Sequence, residues 1–195
     1  MALTSEAAFA YEGGIHPKHR LMRYHDFFVQ RIRAGDRVLD IGCGYGAVAH
    51  SIASRTEASV SGIDLHRPNI EKACERYRLP NLRFVLGDAL TDLPDQTFDV
   101  IVFSNVLEHL DERVAFLRSA QERLRPARWL IRVPMFDRDW RVPLRKELGM
   151  FYFNDATHRV EYTRETFEEE IRAAGLSIVH LQVNWGEIWS EVRAG

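Results

Sequence analysis

Long apolar runs are missing from this 195-residue chain, and with them any segment suited to span a bilayer. Cysteine is scarce. Cys43 and Cys74 are too few for a disulfide framework and lack metal-ligand spacing to a partner, so a reducing, cytoplasmic setting is the simplest one. An excess of one charge is missing too. Lys and Arg number 26 against 28 Asp and Glu, a formal net charge of −2, which gives no global pull toward nucleic acid or anionic membrane. Repeats and low-complexity stretches are absent, and the opening MALTSEAAFAYEGG has no basic start followed by an apolar stretch, so it is not read as a signal peptide. What remains is an ordinary globular composition, 46% hydrophobic and 28% charged, at a length that suits one domain with a sizeable core over residues 1–195.

Residues 1–16 are mixed in character and are expected to form a mobile arm. Over 17–34, Leu21, Tyr24, Phe28 and Ile32 recur at helical spacing, with Pro17 suited to the first turn and Gly35 to the stop. Strand and helix then alternate. RVLDI, ASVSGID, LRFVLGD, FDVIVFSN and RWLIRVP read as strands, and YGAVAHSIASR, RPNIEKACERYR and ERVAFLRSAQERLR as the helices between them. That alternation predicts an α/β fold, a parallel sheet with helices on both faces. Residues 135–162 break the rhythm with aromatics, charges and Pro143, a connection long enough to be functional. Thr163 and Gly175 bracket one more helix, and SIVHLQV with EIWSEV around Asn184-Trp185-Gly186 reads as a closing hairpin.

The stretch VLDIGCGYG, Val38–Gly46, holds the chemistry. Glycines after a first strand let the backbone turn tightly and approach a ligand, and Gly42, Gly44 and Ala47 even fit a dinucleotide pattern. Asp40 argues against a phosphate there, because its carboxylate would repel one. A ligand carrying positive charge suits it, and S-adenosylmethionine carries an ammonium and a sulfonium with no phosphate. Asp64, ending the second strand, can accept ribose hydroxyls. Asp88, after the third, can accept from an exocyclic amine such as adenine N6. Ser104 and Asn105 end the fourth strand at the carboxyl edge, where ligands bind in such sheets.

These motifs resemble those of the class I S-adenosylmethionine-dependent methyltransferases, in the small-molecule group that includes the ubiquinone-type and sugar methyltransferases. VLDIGCGYG, GIDLH, GDAL and FDVIVFSNVLEHL stand in that family's order and spacing, and the likeness runs from Pro17 to the hairpin. It implies a Rossmann-like three-layer sandwich whose seven-stranded, mostly parallel sheet has an antiparallel last strand. It also carries cofactor contact over to Asp40, Gly42, Cys43, Gly44, Tyr45, Asp64, Leu65, Asp88, Ala89, Ser104 and Asn105. Relatives offer an arginine from an N-terminal helix to the cofactor's carboxylate, which points to Arg20 in HPKHR. Cys43 reads as a space-filler, since no base beside it activates a thiolate.

Methyl transfer from a sulfonium is an in-line displacement that needs alignment, exclusion of water and often removal of a proton. Relatives build the acceptor pocket from the insert, here residues 135–162. His158, in NDATHRVEYT, is favoured as base or acceptor-orienting group, with His109 as second candidate. Phe136, Trp140, Tyr152, Phe153 and Tyr162 could line the acceptor site, and Arg138, Arg141 and Arg145 would suit an anionic acceptor. His16, His19 and His25 lack the spacing of a zinc site, and no metal is expected. The expected activity is methylation of a small-molecule acceptor, with oxygen the first choice, by a monomer or homodimer that engages neither nucleic acid nor membrane. The rivals are a non-catalytic module that keeps the cofactor pocket and an NAD-dependent oxidoreductase. Asp40 and the missing second nucleotide-binding half count against the latter.

Overall fold

The computed structural model describes residues 16–195, so the arm expected over residues 1–16 lies, apart from His16, outside the described residues. Among the described residues two short helices come first, α1 (Lys18–Met22) and α2 (Tyr24–Val29). The single helix expected over 17–34 is thus broken, and it stops early. Arg23 has φ 52°, a left-handed conformation that interrupts the helical ladder. Past the break, α2 buries Tyr24, Phe27 and Phe28, while Leu21 on α1 is left exposed.

The apolar runs become strands β1 (Arg37–Ile41), β2 (Ser59–Asp64), β3 (Leu82–Leu86), β4 (Val100–Ser104) and β5 (Arg128–Pro134). The amphipathic segments between them become α3 (Ala47–Arg55), α4 (Arg67–Arg76) and α5 (Arg113–Leu124). A short 3₁₀ turn, Leu107–His109, leaves β4. The insert holds one helix, α6 (Arg141–Glu147). Then come α7 (Arg164–Ala173), β6 (Leu176–Asn184) and β7 (Glu187–Ala194). Helix α7 starts where Thr163 predicts it, with Thr163 and Thr166 forming a reciprocal capping box.

The sheet runs β3-β2-β1-β4-β5-β7-β6. The first five strands pair in parallel, and β7 is antiparallel to both β5 and β6. Alternation along each strand divides the core. Val38, Val100, Val102 and Leu130 pack with Phe27, Phe28 and Ile52 on one face. Leu39, Ile101, Phe103, Trp129 and Ile131 pack with Leu117 and Phe167 on the other. Helices on both faces of a mainly parallel sheet give three layers. Order reverses between β1 and β4, and this is the crevice where open α/β sheets bind ligands. Both cysteines are free, and among the described residues no helix is long and apolar enough to cross a membrane.

Candidate cofactor and acceptor site

Four loops meet at the carboxyl edge of β3, β2, β1 and β4. The glycine turn after β1 is anchored from below, since the N–H groups of Gly42 and Cys43 both donate to the Ile63 carbonyl, at 2.8 and 3.1 Å. Gly42, Gly44 and Gly46 all have positive φ. At Gly42 a Cβ would stand 2.5 Å from Val106 Cγ2, and at Gly46 2.5 Å from Phe84 Cζ, so neighbouring loops close on the turn because the side chain is missing. A Cβ on Gly44 would meet nothing within 4 Å. Cys43 fills space as expected. It is buried, with its thiol pushed up by burial, and its Sγ would be 2.8 Å from a Cβ on Gly62.

A cavity of about 180 Å³ opens above the turn. Asp40, Gly42, Cys43, Gly44, Tyr45, Ser104 and Asn105 line it, all of them named by the sequence. Asp40 is 1% exposed, and its Oδ2 makes no hydrogen bond. Burial pushes its carboxyl up to about 8, against the pull of the Ala49 N–H. An acid buried beside a cavity without a counter-charge suits a ligand that brings a cation. Asn105 also has a buried, unpartnered Oδ1 and a φ of 57°, so its side chain is held at the cavity by a strained backbone.

Asp64 and Asp88 lie outside this cavity, one and two strands along the same edge. The Asp64 carboxylate accepts from the N–H groups of Gly44 and His66, each at 2.9 Å, and from Asn69 Nδ2 at 3.0 Å. Those bonds tie β2 to the glycine turn and use most of its acceptor capacity, leaving room for about one further hydroxyl where the sequence suggested two. Asp88 is half-buried and accepts from the Leu90 N–H at 2.9 Å. Leu65 is exposed, and Ala89 packs on the core; neither lines the cavity.

Arg20 is exposed and is not among the lining residues; Lys18 of the same helix is, and so is Arg132 of β5. Arg132 is 2% exposed. Its Nε and Nη2 donate to Glu187 at 2.6 and 3.0 Å, its Nη1 donates to Ser104 Oγ at 2.9 Å, and its guanidinium lies 3.7 Å from the Tyr24 ring centre. Burial works against its charge, but Glu187 outweighs it and raises the pKa. Lys18 is pushed down by burial and by the Arg132 charge, and it makes no ion pair among the described residues. In HPKHR the sequence reading preferred Arg20 to Lys18, and it did not find Arg132. A charge in the middle of RWLIRVP was the available signal, because a buried strand tolerates one only with a partner.

Three residues past Asn105 a second cluster begins. Glu108 is 0% exposed, and both of its carboxylate oxygens lack hydrogen bonds; burial pushes its carboxyl up to about 7. His109 follows, and the insert brings His158, their ring centres 4.8 Å apart, edge to face. One ligand atom from each of Glu108, His109 and His158 lies within 4.8 Å of the others, a donor set able to hold a cation. Linear spacing gave no hint of it, since two of its members come from the turn after β4 and the third from the far end of the insert. His109 is pushed down by burial and by His158. His158 is 2.9 Å from Glu161, another residue that sequence reading passed over.

The insert's other candidates divide. Tyr162 is a core residue, 0% exposed and hydrogen-bonded to Glu170, so it does not line an acceptor site. Trp140 is 71% exposed. Phe136, Tyr152 and Phe153 cluster, with Tyr152 stacked on Phe153 at 4.5 Å. The three arginines have partners of their own: Arg138 with Glu161, Arg141 with Asp139 and Arg145 with Asn154. Arg138 and Arg141 thus face carboxylates within the chain, while Arg145 donates to a neutral amide oxygen.

The chain is similar to known proteins in sequence and in fold. Residues 14–181 match a family model described as a methyltransferase domain. The chain is 31% identical over 157 residues to the mitochondrial ubiquinone biosynthesis O-methyltransferase of Schizosaccharomyces pombe, covering 78% of this chain and 56% of that protein. It is 37% identical over 176 residues to a protein of Mycobacterium ulcerans named as a phthiotriol/phenolphthiotriol dimycocerosates methyltransferase, covering 88% and 57%. The chain spans about half the length of the curated relatives it matches. Among solved structures, a SAM-dependent methyltransferase from Aquifex aeolicus superposes with a TM-score of 0.72 at 17% identity, covering 92% of this chain and 93% of that one, a likeness of fold.

Proposed function

Because the chain belongs to the class I S-adenosylmethionine-dependent methyltransferases, we propose that it methylates an oxygen of a small-molecule acceptor. The observation that carries this reading is the order of groups along one sheet edge. Asp88, Asp64, the glycine turn with Asp40, and Ser104-Asn105 follow the strand order β3-β2-β1-β4, and the Glu108–His109–His158 cluster follows directly. An extended, positively charged cofactor suits the first four. A group that must give up a proton suits the last.

S-adenosylmethionine, when bound, supplies an electrophilic methyl on a sulfonium. Asp40 would hold its ammonium, and the strand-end acids its ribose and adenine. The side chains past β4 would orient the acceptor, with His158 removing the hydroxyl proton through its unprotonated nitrogen. Phe136, Tyr152 and Phe153 would keep water from the acceptor, and a monomer or homodimer in a reducing cytoplasm serves this chemistry. A second reading is favoured by the 4.8 Å cluster: a divalent cation on Glu108, His109 and His158 that lowers the pKa of the acceptor hydroxyl. Chelation followed by add-back of magnesium, manganese or zinc separates the two. Loss and recovery of turnover support the cation, and indifference supports a metal-free base.

The test of the cofactor comes first: calorimetric titration with S-adenosylhomocysteine on wild type and Asp64→Ala, with NAD as control. The expected result is binding that the substitution weakens by about 1–3 kcal/mol, the scale of hydrogen bonds to a charged group. Binding of NAD instead, or of neither, overturns the reading. If cofactor binds and no hydroxylated acceptor is turned over, the non-catalytic module is the better description.

A further inference from the structure

The insert does more than deliver His158. Its backbone is pinned next to the cluster, with the Arg159 N–H donating to the Glu108 carbonyl at 2.8 Å and the Phe136 N–H to the Tyr162 carbonyl at 2.7 Å. Two acids of the insert then face the two imidazoles from behind. We infer that Glu161 directly, and Asp155 through Thr157, are positioning residues that hold His158 and His109 in the same tautomer, each protonated on Nδ1. Both imidazoles then present Nε2 as the unprotonated nitrogen of the site. This rests on the reading of the Glu108–His109–His158 cluster as the acceptor end, and it holds whether Nε2 takes a proton or binds a cation.

The argument is one of donors and acceptors. The Glu161 side chain is fully buried, and its Oε1 already accepts from the Asn154 N–H at 3.0 Å while lying 2.9 Å from His158 Nδ1. Its other oxygen, Oε2, faces Arg138 Nη1 at 3.4 Å, so a fixed positive charge stands against the carboxylate. An ionised carboxylate only accepts, so the nitrogen facing it carries the hydrogen. At His109 the logic has one more link. The Thr157 hydroxyl donates to Asp155 Oδ1 at 2.6 Å, and the Asp155 carboxyl is itself held down, chiefly by Thr157. A hydroxyl has one hydrogen. With it committed to Asp155, Thr157 Oγ1 can only accept from His109 Nδ1, 2.9 Å away. In both cases an acid outside the reacting groups fixes the ring and leaves the other nitrogen for chemistry, as carboxylates do behind histidines in metal and acyl-transfer sites.

The test needs no acceptor. Nitrogen-15 NMR of the histidine rings reads each tautomer in the ligand-free protein. In wild type, both His109 and His158 should show Nδ1–H. Thr157→Val, at an exposed position, should move His109 toward Nε2–H and leave His158 alone; Glu161→Ala should do the reverse. Nε2–H on both rings in wild type overturns the inference, and so does a His109 spectrum unchanged by Thr157→Val. That variant decides the matter even if Glu161→Ala does not fold. S-adenosylhomocysteine affinity should stay within about twofold in Thr157→Val, and kcat on any identified acceptor should fall by about tenfold or more. Wild type that fails to bind S-adenosylhomocysteine would instead count against the proposed function.

Discussion

Asp40, Gly42 and Gly44 stand within one turn of chain and face one cavity, whereas on the other side of β4 Glu108 meets a histidine delivered by the far end of the insert. The first region is built from backbone conformation. Its glycines matter for the space they leave, and its acid is presented by the strand that precedes them. The second is built from parts that lie apart in the chain: Glu108 and His109 from the turn after β4 and His158 from the insert, with Glu161 behind His158, and with the Arg132–Glu187 pair of β5 and β7 between the two regions. A binding site for one fixed cofactor can be a local device. A site for an acceptor is assembled from parts that can be exchanged one at a time, and each exchange must keep its buried charges answered.

If the second region depends on paired charge, removing one partner should do the greatest damage. Arg132→Met leaves Glu187 buried with Trp189 Nε1, at 3.1 Å, as its remaining side-chain donor among the described residues. The expected cost is about 3–5 kcal/mol in chemical denaturation, and the double variant with Glu187→Leu should recover more than half of it. A single variant as stable as wild type would show that β5 and β7 are held by packing alone.

The glycine turn should fail differently. Gly46→Ala adds a methyl 2.5 Å from Phe84 Cζ and 3.1 Å from Ala73 Cβ, at φ 78°. Left-handed strain and overpacking together should cost about 2–3 kcal/mol of stability. Gly44→Ala meets nothing and carries the strain alone, about 1 kcal/mol, yet it should weaken S-adenosylhomocysteine more, because its methyl enters the cavity. Stability by denaturation and affinity by calorimetry should therefore rank the two variants in opposite orders. The same order in both would mean that the turn acts on the ligand only through the fold.

The two regions also differ in how far the chain could be read. The strands, the hairpin at Trp185-Gly186 and the N-cap at Thr163 follow from local chemistry, short β-rich apolar runs bounded by turn residues and φ-permissive turns, which a linear sequence displays. So do Asp40 and its glycines. Arg23, which splits the N-terminal helix, displays nothing, because its left-handed backbone comes from tertiary packing of Tyr24 and Phe28 that outweighs the residue's own preference. Lys18 was missed for the same reason: which of Lys18, His19 and Arg20 faces the cavity depends on where α1 lands after that break. Arg132 was missed because a buried ion declares itself through a partner, and Glu187 lies on another strand; Glu108 was missed because the histidine beside it comes from the insert, and Glu161 because the sequence does not show that His158, three residues before it, turns its ring onto it.

A smaller effect, with a definite sign in pH, sits at Asp40. Its folded pKa, about 8, lies above the ordinary carboxylate value near 4. Between those values the folded protein binds a proton that the unfolded chain has released, so this residue lowers stability as pH rises from about 4 to 8. Asp40→Asn should therefore stabilise the ligand-free protein near pH 8 by about 1–3 kcal/mol, with little change near pH 4. Affinity runs the other way. An ammonium pairs with ionised Asp40, so wild-type S-adenosylhomocysteine binding should tighten from pH 6 to 8, and the Asn variant should bind more weakly with a flatter profile. Equal pH slopes in the two proteins would remove Asp40 from the ammonium's partners.

The finest cut is between Lys18 and Arg20, two cations on one five-residue helix. Lys18 lines the cavity, and its charge is held at a disadvantage by burial and by Arg132. An incoming carboxylate relieves both. Arg20 is exposed, and water screens whatever charge it offers. Lys18→Met should weaken S-adenosylhomocysteine by about tenfold, ~1.4 kcal/mol, and Arg20→Ala by less than about twofold. Methylthioadenosine, which has the adenine, ribose and sulfur but no amino-acid end, should bind all three proteins alike. If Arg20→Ala is the costlier change, α1 rotates on binding and the cavity of the free protein is not the one that holds the cofactor. If both variants lose methylthioadenosine as well, the helix acts by covering the nucleoside, and the carboxylate is left to Arg132.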